Sequence, residues 1–515
     1  MVSSTRRSPR FLPLLLAAIT IHPAVTALAQ DDEGPSVTVY SSADASEFDP
    51  QRFIAQQRMG ADPSFVWQVP GYAVVKEIRT APLQAGVNEL QFTDVAEFID
   101  PTTVSFADLS HANDTAVLEQ NFRFDLVSPA KLLDRYIDQD IGVYVQMGDT
   151  TELVEGTLLS SASGSLVIQT KNGIRVVNGL GQSIQLRDLP EGLITRPTLL
   201  WKIDTRTGGD HTFRTSYQTN GMTWRADYNI VINEDSTRAD VGAWVSLLNL
   251  SGATFQNARL KLIAGDVQRI QPRPQIYTMT AKRMRGAEMA DAGFEEKSFF
   301  EYHLYTLPRR TDIPSNTTQQ ITLFPTAHDV AVEKTLVYFG QPQAAGWRFG
   351  TPATSRDLGT NSNTKVDVYL KFKNAENNQL GRPLPKGKIR VYQRDDADDT
   401  LEFIGEDLID HTAKDETVLI KLGQSFDVVG ERKQTDFESS QGANRIVESF
   451  EITLRNHKPT AQNVIIREPL YRWSNWEITR RSDDFEKIDA RTIHFPVSVP
   501  ANGEKTITYT VRYTW

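Results

Sequence analysis

The chain has 515 residues, no cysteine and a formal net charge of −10 at pH 7. Without cysteine there is no thiolate nucleophile, no cysteine-ligated zinc and no iron–sulfur cluster. An acidic chain without a long basic run is a poor ligand for phosphate backbones, so the composition predicts no nucleic-acid partner. The length is enough for about three to four domains.

The first 29 residues are typical of a signal peptide. Three arginines precede a mostly apolar stretch at 11–25, and Ala27 and Ala29 then frame a small-x-small cleavage site. A membrane anchor is the alternative, but the apolar run is short and Pro13 and Pro23 interrupt it. We therefore expect an exported protein, periplasmic or extracellular. Removing the three arginines and no acidic residue leaves a mature charge of about −13.

Strand signals dominate the rest of the chain. Alternating apolar and polar residues rich in Val, Ile, Thr, Tyr and Phe recur at 36–40, 226–232, 364–372 and 505–513. The pattern predicts a mostly β protein with several sandwich or barrel domains and few helices. No later segment has 18 consecutive apolar residues, which predicts no transmembrane segment in the mature chain.

Composition and turn signals divide the mature chain into four parts. We expect an N-terminal β domain at 30–127, a small barrel at 128–190, a main β domain at 191–430 and a C-terminal sandwich at 440–515. The polar stretch 432–444 is interpreted as a linker. A weakly patterned, methionine-containing segment at 271–294 interrupts the main domain and is interpreted as a loop or an irregular helix.

The segment 128–190 has the clearest pattern. Ser128 is placed to cap a short helix that begins at Pro129, and five short strands follow with glycines at the bends. A helix leading five strands predicts one closed small barrel that resembles SH3-like and Sm-like barrels. An RNA-binding function, which the Sm resemblance suggests, conflicts with export and negative charge, so a structural module is favoured.

Acidic residues near 395–411 are the weak candidates for a metal site. Asp396, Asp398 and Asp407 could supply oxygen ligands for calcium, but the run lacks the glycine and the spacing of a calcium-binding loop. A solvated hairpin tip is the favoured interpretation. The eight histidines are scattered, and the sequence contains no nucleophile elbow, phosphate loop or dinucleotide fingerprint. We therefore predict no catalytic residue and no cofactor.

Aromatic residues are the candidate binding residues. Tyr217, Trp224 and Tyr228 cluster on successive predicted strands, where exposed rings would form a platform for a sugar or a protein. Their alternating spacing also suits a buried core, and that alternative is favoured.

Several motifs resemble the family known as domain of unknown function 4139, found in mucoidy-inhibitor-like proteins. They are YQTNGMTWRADY at 217–228, NLSG at 249–252, ARLKLIAGD at 258–266, EYHLY at 301–305, FIGED at 403–407 and YTVRY at 509–513. GYAVVKEIR at 71–79 and FTDVA at 92–96 resemble the N-terminal part of that family, whose coiled-coil insertion does not occur here. The resemblance implies a β-rich, envelope-associated protein, and it supplies no activity or catalytic residue.

Together these patterns favour an envelope-associated binding or scaffold protein that is not an enzyme. Its expected partner is an unidentified envelope protein or glycan, and residues 191–430 are expected to carry the binding surface. Two alternatives stay open: a metal-assisted hydrolase of a cell-surface polymer, which would use the acidic and histidine residues from Asp395 to His411, and a carbohydrate-binding module, which would use the aromatic rings.

Overall fold

A computed structural model gives the fold of the chain. It describes residues 25–26, 29–30, 34–41, 48–59, 63–147, 150–178, 182–190, 193–265, 295–299, 302–395, 397–398, 400–440 and 442–515. Strands dominate these residues, which confirms the mostly β prediction. Neither α-helix in these ranges has the length and apolar character needed to cross a bilayer.

The strands are numbered in chain order. They are β1 Val25–Thr26, β2 Ala29–Gln30, β3 Ser36–Tyr40, β4 Tyr72–Leu83, β5 Gly86–Thr93, β6 Ile99–Asp108, β7 Thr115–Arg123, β8 Asp140–Met147, β9 Thr150–Ser160, β10 Ser165–Thr170, β11 Gly173–Asn178, β12 Ser183–Gln185, β13 Thr198–Thr205, β14 Gly209–Thr219, β15 Met222–Ile232, β16 Arg238–Asn249, β17 Phe255–Ala264, β18 Glu295–Phe299, β19 Tyr302–Thr306, β20 Thr311–Ile313, β21 Thr317–Tyr338, β22 Lys365–Lys373, β23 Gly387–Asp395, β24 Thr400–Ile409, β25 Thr417–Ser440, β26 Arg445–Asn456, β27 Gln462–Pro469, β28 Trp476–Arg481, β29 Glu486–Lys487, β30 Thr492–Val499 and β31 Gly503–Thr514. The helices are α1 Pro50–Arg58 and α2 Pro129–Arg135, with 3₁₀ turns at Pro63–Gln68, Ala162–Gly164, Pro342–Gly346, Arg356–Gly359 and Glu376–Asn378.

The chain forms two compact units, and it passes from one to the other three times. The first unit takes in the described residues of 1–35 and 75–219, and the second those of 36–74 and 220–515. The division predicted from the sequence contains only continuous segments, and its boundaries stay a prediction.

In the first unit, a four-stranded sheet in the order β1-β5-β13-β7 is centred on Trp201. Trp201 lies between Leu90 of β5 and Gln120 of β7 in the strand register, and its ring is fully buried. The indole nitrogen donates to the Gln120 side chain at 2.9 Å, so the ring is buried without leaving its polar atom unpaired. The ring of Phe106, on β6, packs against it at 4.9 Å.

Residues 128–190 form a five-stranded antiparallel sheet in the order β11-β10-β9-β8-β12. Helix α2 precedes it, and Ser128 caps the helix by accepting a hydrogen bond from the Lys131 amide at 3.3 Å, as predicted. Among the described residues, the pairings of these strands stay within the segment. The sheet ends on β11 and β12, which do not pair in the described residues, so the prediction of a closed barrel is corrected to an open sheet.

In the second unit, the largest sheet runs β24-β23-β15-β16-β21-β22-β25-β26-β31-β28, and β27 pairs with β21 and β30. Strand β26 shows why these segments form strands, because its residues alternate strictly between the core and the outer face. Ile446, Phe450, Ile452 and Leu454 point into the core. Glu448 occupies an inward position of the same alternation and is also buried.

The linker predicted at 432–444 is wrong. Strand β25 continues to Ser440 and pairs with β26 from Val428 to Ser440. The polar composition misled the prediction because Arg432, at an inward position of β25, is buried with a carboxylate partner and not solvated.

Candidate functional site

Three strand ends meet at one edge of the second unit. Strands β21 and β27 run parallel, with Tyr338 opposite Ile466, so their carboxyl ends point the same way. Strand β30 runs antiparallel to β27 and pairs Thr492 with Pro469, which places its first residues at the same edge. The chain that leaves β21 continues into the 3₁₀ turn Pro342–Gly346. Segments that are distant in sequence therefore come together at this edge of the sheet.

These segments enclose a pocket of about 130 Å³. Its lining residues are Phe339, Ala344, Ala345, Trp347, Arg348, Arg467, Pro469, Tyr471, Asp489, Arg491 and Thr492. Pockets for drug-sized ligands have volumes of roughly 300–1,000 Å³. The smaller volume suits one chemical group, such as a carboxylate or a phosphate, better than a whole large ligand.

Three arginines give the pocket its charge. Arg348 Nη1 donates to two backbone carbonyls, including that of Trp347 at 2.9 Å, and Arg491 Nη1 approaches the same carbonyl at 3.5 Å. The guanidinium group of Arg467 lies 5.0 Å from the ring centre of Phe339, in cation–π contact. None of the three pairs with a carboxylate in the described part of the chain. The carboxylate of Asp489, which also lines the pocket, partly offsets the charge of Arg467, and three guanidinium groups against one carboxylate leave a positive excess.

The charge of Arg467 contributes to the pKa shifts of two neighbouring groups. A hydrogen bond from the Arg491 amide to the Asp489 carboxylate, at 2.7 Å, lowers the pKa of Asp489, and the charge of Arg467 lowers it further. Burial first, and the charge of Arg467 second, lower the pKa of His494. Asp489 is the one acidic residue that lines the pocket, against three arginines.

Tyr471 connects the pocket to a buried polar network. Its ring lines the pocket, and the guanidinium group of Arg472 lies 5.4 Å from the ring centre. Arg472 Nε donates to Glu448 Oε2 at 2.8 Å, and Arg432 Nε donates to Glu468 Oε2 at 2.9 Å. All four charged side chains are completely buried. Two ion pairs thus lie inside the core behind the pocket.

Further contacts hold these charges in place. Arg432 Nη1 donates to the carbonyl of Gly359 at 2.9 Å, its guanidinium group lies 3.8 Å from the ring centre of Phe450, and the Tyr509 hydroxyl donates to the Glu468 carboxylate. Burial raises the pKa of the Glu448 carboxyl against the lowering effect of the neighbouring arginines. Paired and hydrogen-bonded charges of this kind fix side-chain positions, so the wall of the pocket is preorganised.

A family model described as Domain of unknown function (DUF4139) matches residues 213–515, which is more than half of the chain. The chain belongs to the DUF4139 family. The pocket and the buried ion pairs both lie within the DUF4139 region. A search of curated proteins found no match to the chain. The family description names no activity, so the function has to be argued from the site.

The aromatic residues predicted to bind a partner lie in the core. Tyr217, Trp224 and Tyr228 are 1%, 3% and 1% exposed. The Tyr228 hydroxyl donates to the carbonyl of Pro385 at 2.7 Å, and the Trp224 ring packs edge-on against Tyr305. A surface platform formed by these rings is therefore wrong, and the alternative favoured by their alternating spacing is confirmed.

The acidic residues predicted as weak metal ligands are engaged locally. Asp398 lies in the β23–β24 hairpin turn and accepts hydrogen bonds from the amide and hydroxyl of Thr400, as in a solvated tip. Asp407 lies on β24 and accepts from the Lys421 amide at 2.7 Å. Asp396 lies outside the described residues, as do Ala27 of the predicted cleavage site and residues 271–294.

The arginines of the DUF4139 pocket were not predicted from the sequence. Arg348 and Arg491 lie in loops, where no periodicity marks them, and they are brought to Arg467 by the parallel pairing of β21 with β27 and by the β27–β30 ladder. The buried ion pairs, in contrast, are marked in the sequence by charged residues in alternating strands. Glu448 and Glu468 stand at inward positions of strands that otherwise alternate cleanly.

Proposed function

We propose that this protein is exported and acts in the cell envelope as a binding or scaffold protein without catalytic activity, and that its arginine pocket binds an anionic group. One observation carries the proposal: Arg348, Arg467 and Arg491 converge on a small pocket in which Asp489 is the one acidic residue among the described lining residues. In a chain with a net charge of −10, this excess of positive charge is a local and specific feature.

The lining favours binding over catalysis. The described residues that line the pocket include no serine, histidine or lysine, and the carboxylate of Asp489 is engaged by the Arg491 amide at 2.7 Å. Arginine supplies planar donors that match the two oxygens of a carboxylate or a phosphate. Trp347, which is half-buried, adds an apolar ring beside them. A sugar ring that carries an acidic group would satisfy both features, which keeps the carbohydrate-binding alternative inside the same proposal.

The proposal also includes export and an N-terminal companion region. The arginines, the apolar stretch and the Ala27-x-Ala29 site of the first 29 residues support a periplasmic or extracellular location. The motifs at 71–79 and 92–96 support an N-terminal companion region of the kind found in mucoidy-inhibitor-like proteins. The hydrolase alternative depended on the acidic and histidine residues from Asp395 to His411; of these, Asp398 accepts hydrogen bonds from Thr400 and Asp407 accepts one from the Lys421 amide.

Calorimetric titration of the mature chain tests the pocket. Glucuronate and inorganic phosphate provide the two anionic groups, and glucose is the neutral reference. A hydrogen bond to a charged group contributes roughly 1.5–3 kcal/mol, so Arg467→Gln should weaken anion binding by about tenfold or more. Binding should also weaken as salt is added.

Arg480→Gln is the matched control, because Arg480 is an exposed arginine on β28 outside the pocket lining. It removes the same charge and should leave anion affinity within about twofold, since single distant charges are screened. If neither anion binds, or if Arg480→Gln weakens binding as much as Arg467→Gln does, the proposed function is wrong.

A further inference from the structure

A second cluster of chemically active side chains lies in the first unit, where β6 ends. Asp108 is the last residue of β6, His111 follows in the next turn, and His211 lies on β14, the strand that pairs with β6. One possible ligand atom from each of the three residues lies within 4.8 Å of the other two. Asp108 and His211 are buried, and His111 is partly exposed.

The Asp108 carboxylate is held in a fixed orientation. Its Oδ1 accepts hydrogen bonds from the Ser110 amide at 3.0 Å, the Ser110 hydroxyl at 2.9 Å and the His111 amide at 2.9 Å. Its Oδ2 accepts from the Thr115 hydroxyl at 2.7 Å. Oδ1 is therefore saturated, and the remaining lone pair of Oδ2 points to the His211 ring, 2.6 Å away.

The contacts of His211 determine what lies between it and Asp108. His211 Nε2 is 3.0 Å from the carbonyl of Thr207, which can only accept, so Nε2 carries a proton. In the neutral ring this leaves the lone pair on Nδ1, facing Asp108 Oδ2. Two lone-pair atoms in this arrangement share a cation, which is either a proton on Nδ1 or a metal ion.

His111 supplies the third possible metal ligand of the cluster. The Ser110 hydroxyl gives its one proton to Asp108, so the contact of 3.0 Å between His111 Nδ1 and Ser110 Oγ is a hydrogen bond donated by His111. The His111 ring packs on the His211 ring with 4.3 Å between centres. His111 is partly exposed, whereas His211 is fully buried.

We propose that Asp108, His111 and His211 form a binding site for a divalent transition-metal ion, with Zn²⁺ as the expected ion. Two imidazoles and one carboxylate are a common donor set for zinc with an open coordination position. The Thr207 carbonyl and the Thr115 and Ser110 hydroxyls occupy the places of the outer groups that orient metal ligands. Zinc–ligand bonds of about 2.0–2.2 Å require the His111 ring to turn toward the ion, and they require Asp108 Oδ2 and His211 Nδ1 to move apart from their hydrogen-bond distance of 2.6 Å.

Metal analysis of the purified, tag-free mature chain tests this proposal. The protein should bind one Zn²⁺ per chain after dialysis against zinc and removal of the excess, and its melting temperature should rise with added zinc. Co²⁺ should produce the visible absorption bands of a low-coordinate nitrogen–oxygen site. His111→Gln should lower zinc affinity by at least about tenfold, since loss of an outer-shell group alone costs 10–100-fold.

Two further variants separate a metal site from a structural hydrogen bond. Thr115→Val removes a donor to Asp108 Oδ2 and should lower zinc affinity by about tenfold. The control is His328→Ala, because His328 pairs with Asp240 at 3.1 Å on the exposed surface without a comparable set of outer groups. It should leave zinc binding unchanged. Absence of stoichiometric zinc, or equal binding by wild type and His111→Gln, would overturn the proposal and leave the cluster as a proton-bridged ion pair.

Discussion

Replacing Glu468 with glutamine is expected to destabilise the second unit strongly. The substitution keeps the shape of the side chain and removes its charge. Arg432 then stays buried next to a neutral amide, although its Nε now bonds both carboxylate oxygens, at 3.2 and 2.9 Å. Both side chains are 0% exposed, so water cannot replace the lost charge. Arg432 Nη2 already has no protein hydrogen-bond partner in the described residues.

The burial of the pair sets the size of the effect. Removing one partner of a buried ion pair costs about 3–5 kcal/mol, because the other charge is left uncompensated. The neighbouring residue on β25 supplies the control: Glu431 pairs with Arg455 at 3.1 Å, but these side chains are 56% and 40% exposed. Glu431→Gln should therefore cost no more than about 1 kcal/mol.

Urea denaturation of the mature chain, followed by circular dichroism, measures both variants. The expected result is a large fall in the unfolding midpoint for Glu468→Gln and a small one for Glu431→Gln. The double variant Arg432→Met/Glu468→Leu should recover most of the loss, because an apolar pair of similar volume needs no compensating charge. Equal effects of Glu468→Gln and Glu431→Gln would refute the argument from burial.

Three further predictions concern the fold, the alkaline range and the N-terminus. A Cβ on Gly156 would lie 2.3 Å from the backbone oxygen of Gln169, so Gly156→Val should lower the free energy of unfolding by about 1–3 kcal/mol, whereas Gly350→Val, where a Cβ meets nothing within 4 Å, should have a smaller effect in the same urea assay. Burial raises the pKa of Tyr338 to about 12 and raises the pKa of Tyr509 and Tyr513 well above its usual value, so the folded state favours the neutral phenols. The stability that these tyrosines contribute is complete below about pH 10 and is lost as the pH rises above it. Melting temperatures measured from about pH 8 to 11 should therefore fall at the alkaline end. N-terminal sequencing of protein from the envelope fraction should begin at or near Gln30, and a chain that still begins with Met1 would contradict the cleavage prediction.

Regular alternation made much of the strand content predictable. The predicted strand at 36–40 coincides with β3, and the pattern at 505–513 lies inside β31. The short helix after Ser128 was also predictable, because a capping serine followed by proline is a local signal. Pairings between distant strands, such as β3 with β17, have no local signal, which explains why the composition of the two units could not be deduced.

The candidate site was less predictable than the fold. Charged side chains usually lie in solvent, so a sequence gives little reason to expect Arg432 and Arg472 in the core. Each of them is buried with a glutamate. Conversely, the aromatic candidates for binding, Tyr217, Trp224 and Tyr228, lie in the core, which is the alternative that their alternating spacing favoured. A charged residue at an inward position of an otherwise clean alternation, as at Glu448, is the sequence signal that would have identified the network.

The central claim is that the arginine pocket binds an anion. The most direct test is a crystal structure of the mature chain, from a crystal soaked in selenate, because the anomalous signal of selenium locates the bound anion. The account predicts a selenium peak within hydrogen-bond distance of the guanidinium groups of Arg348, Arg467 and Arg491, and no peak there in a crystal of Arg467→Gln. Selenate bound only at other surface arginines, with the pocket unchanged between wild type and Arg467→Gln, would contradict it.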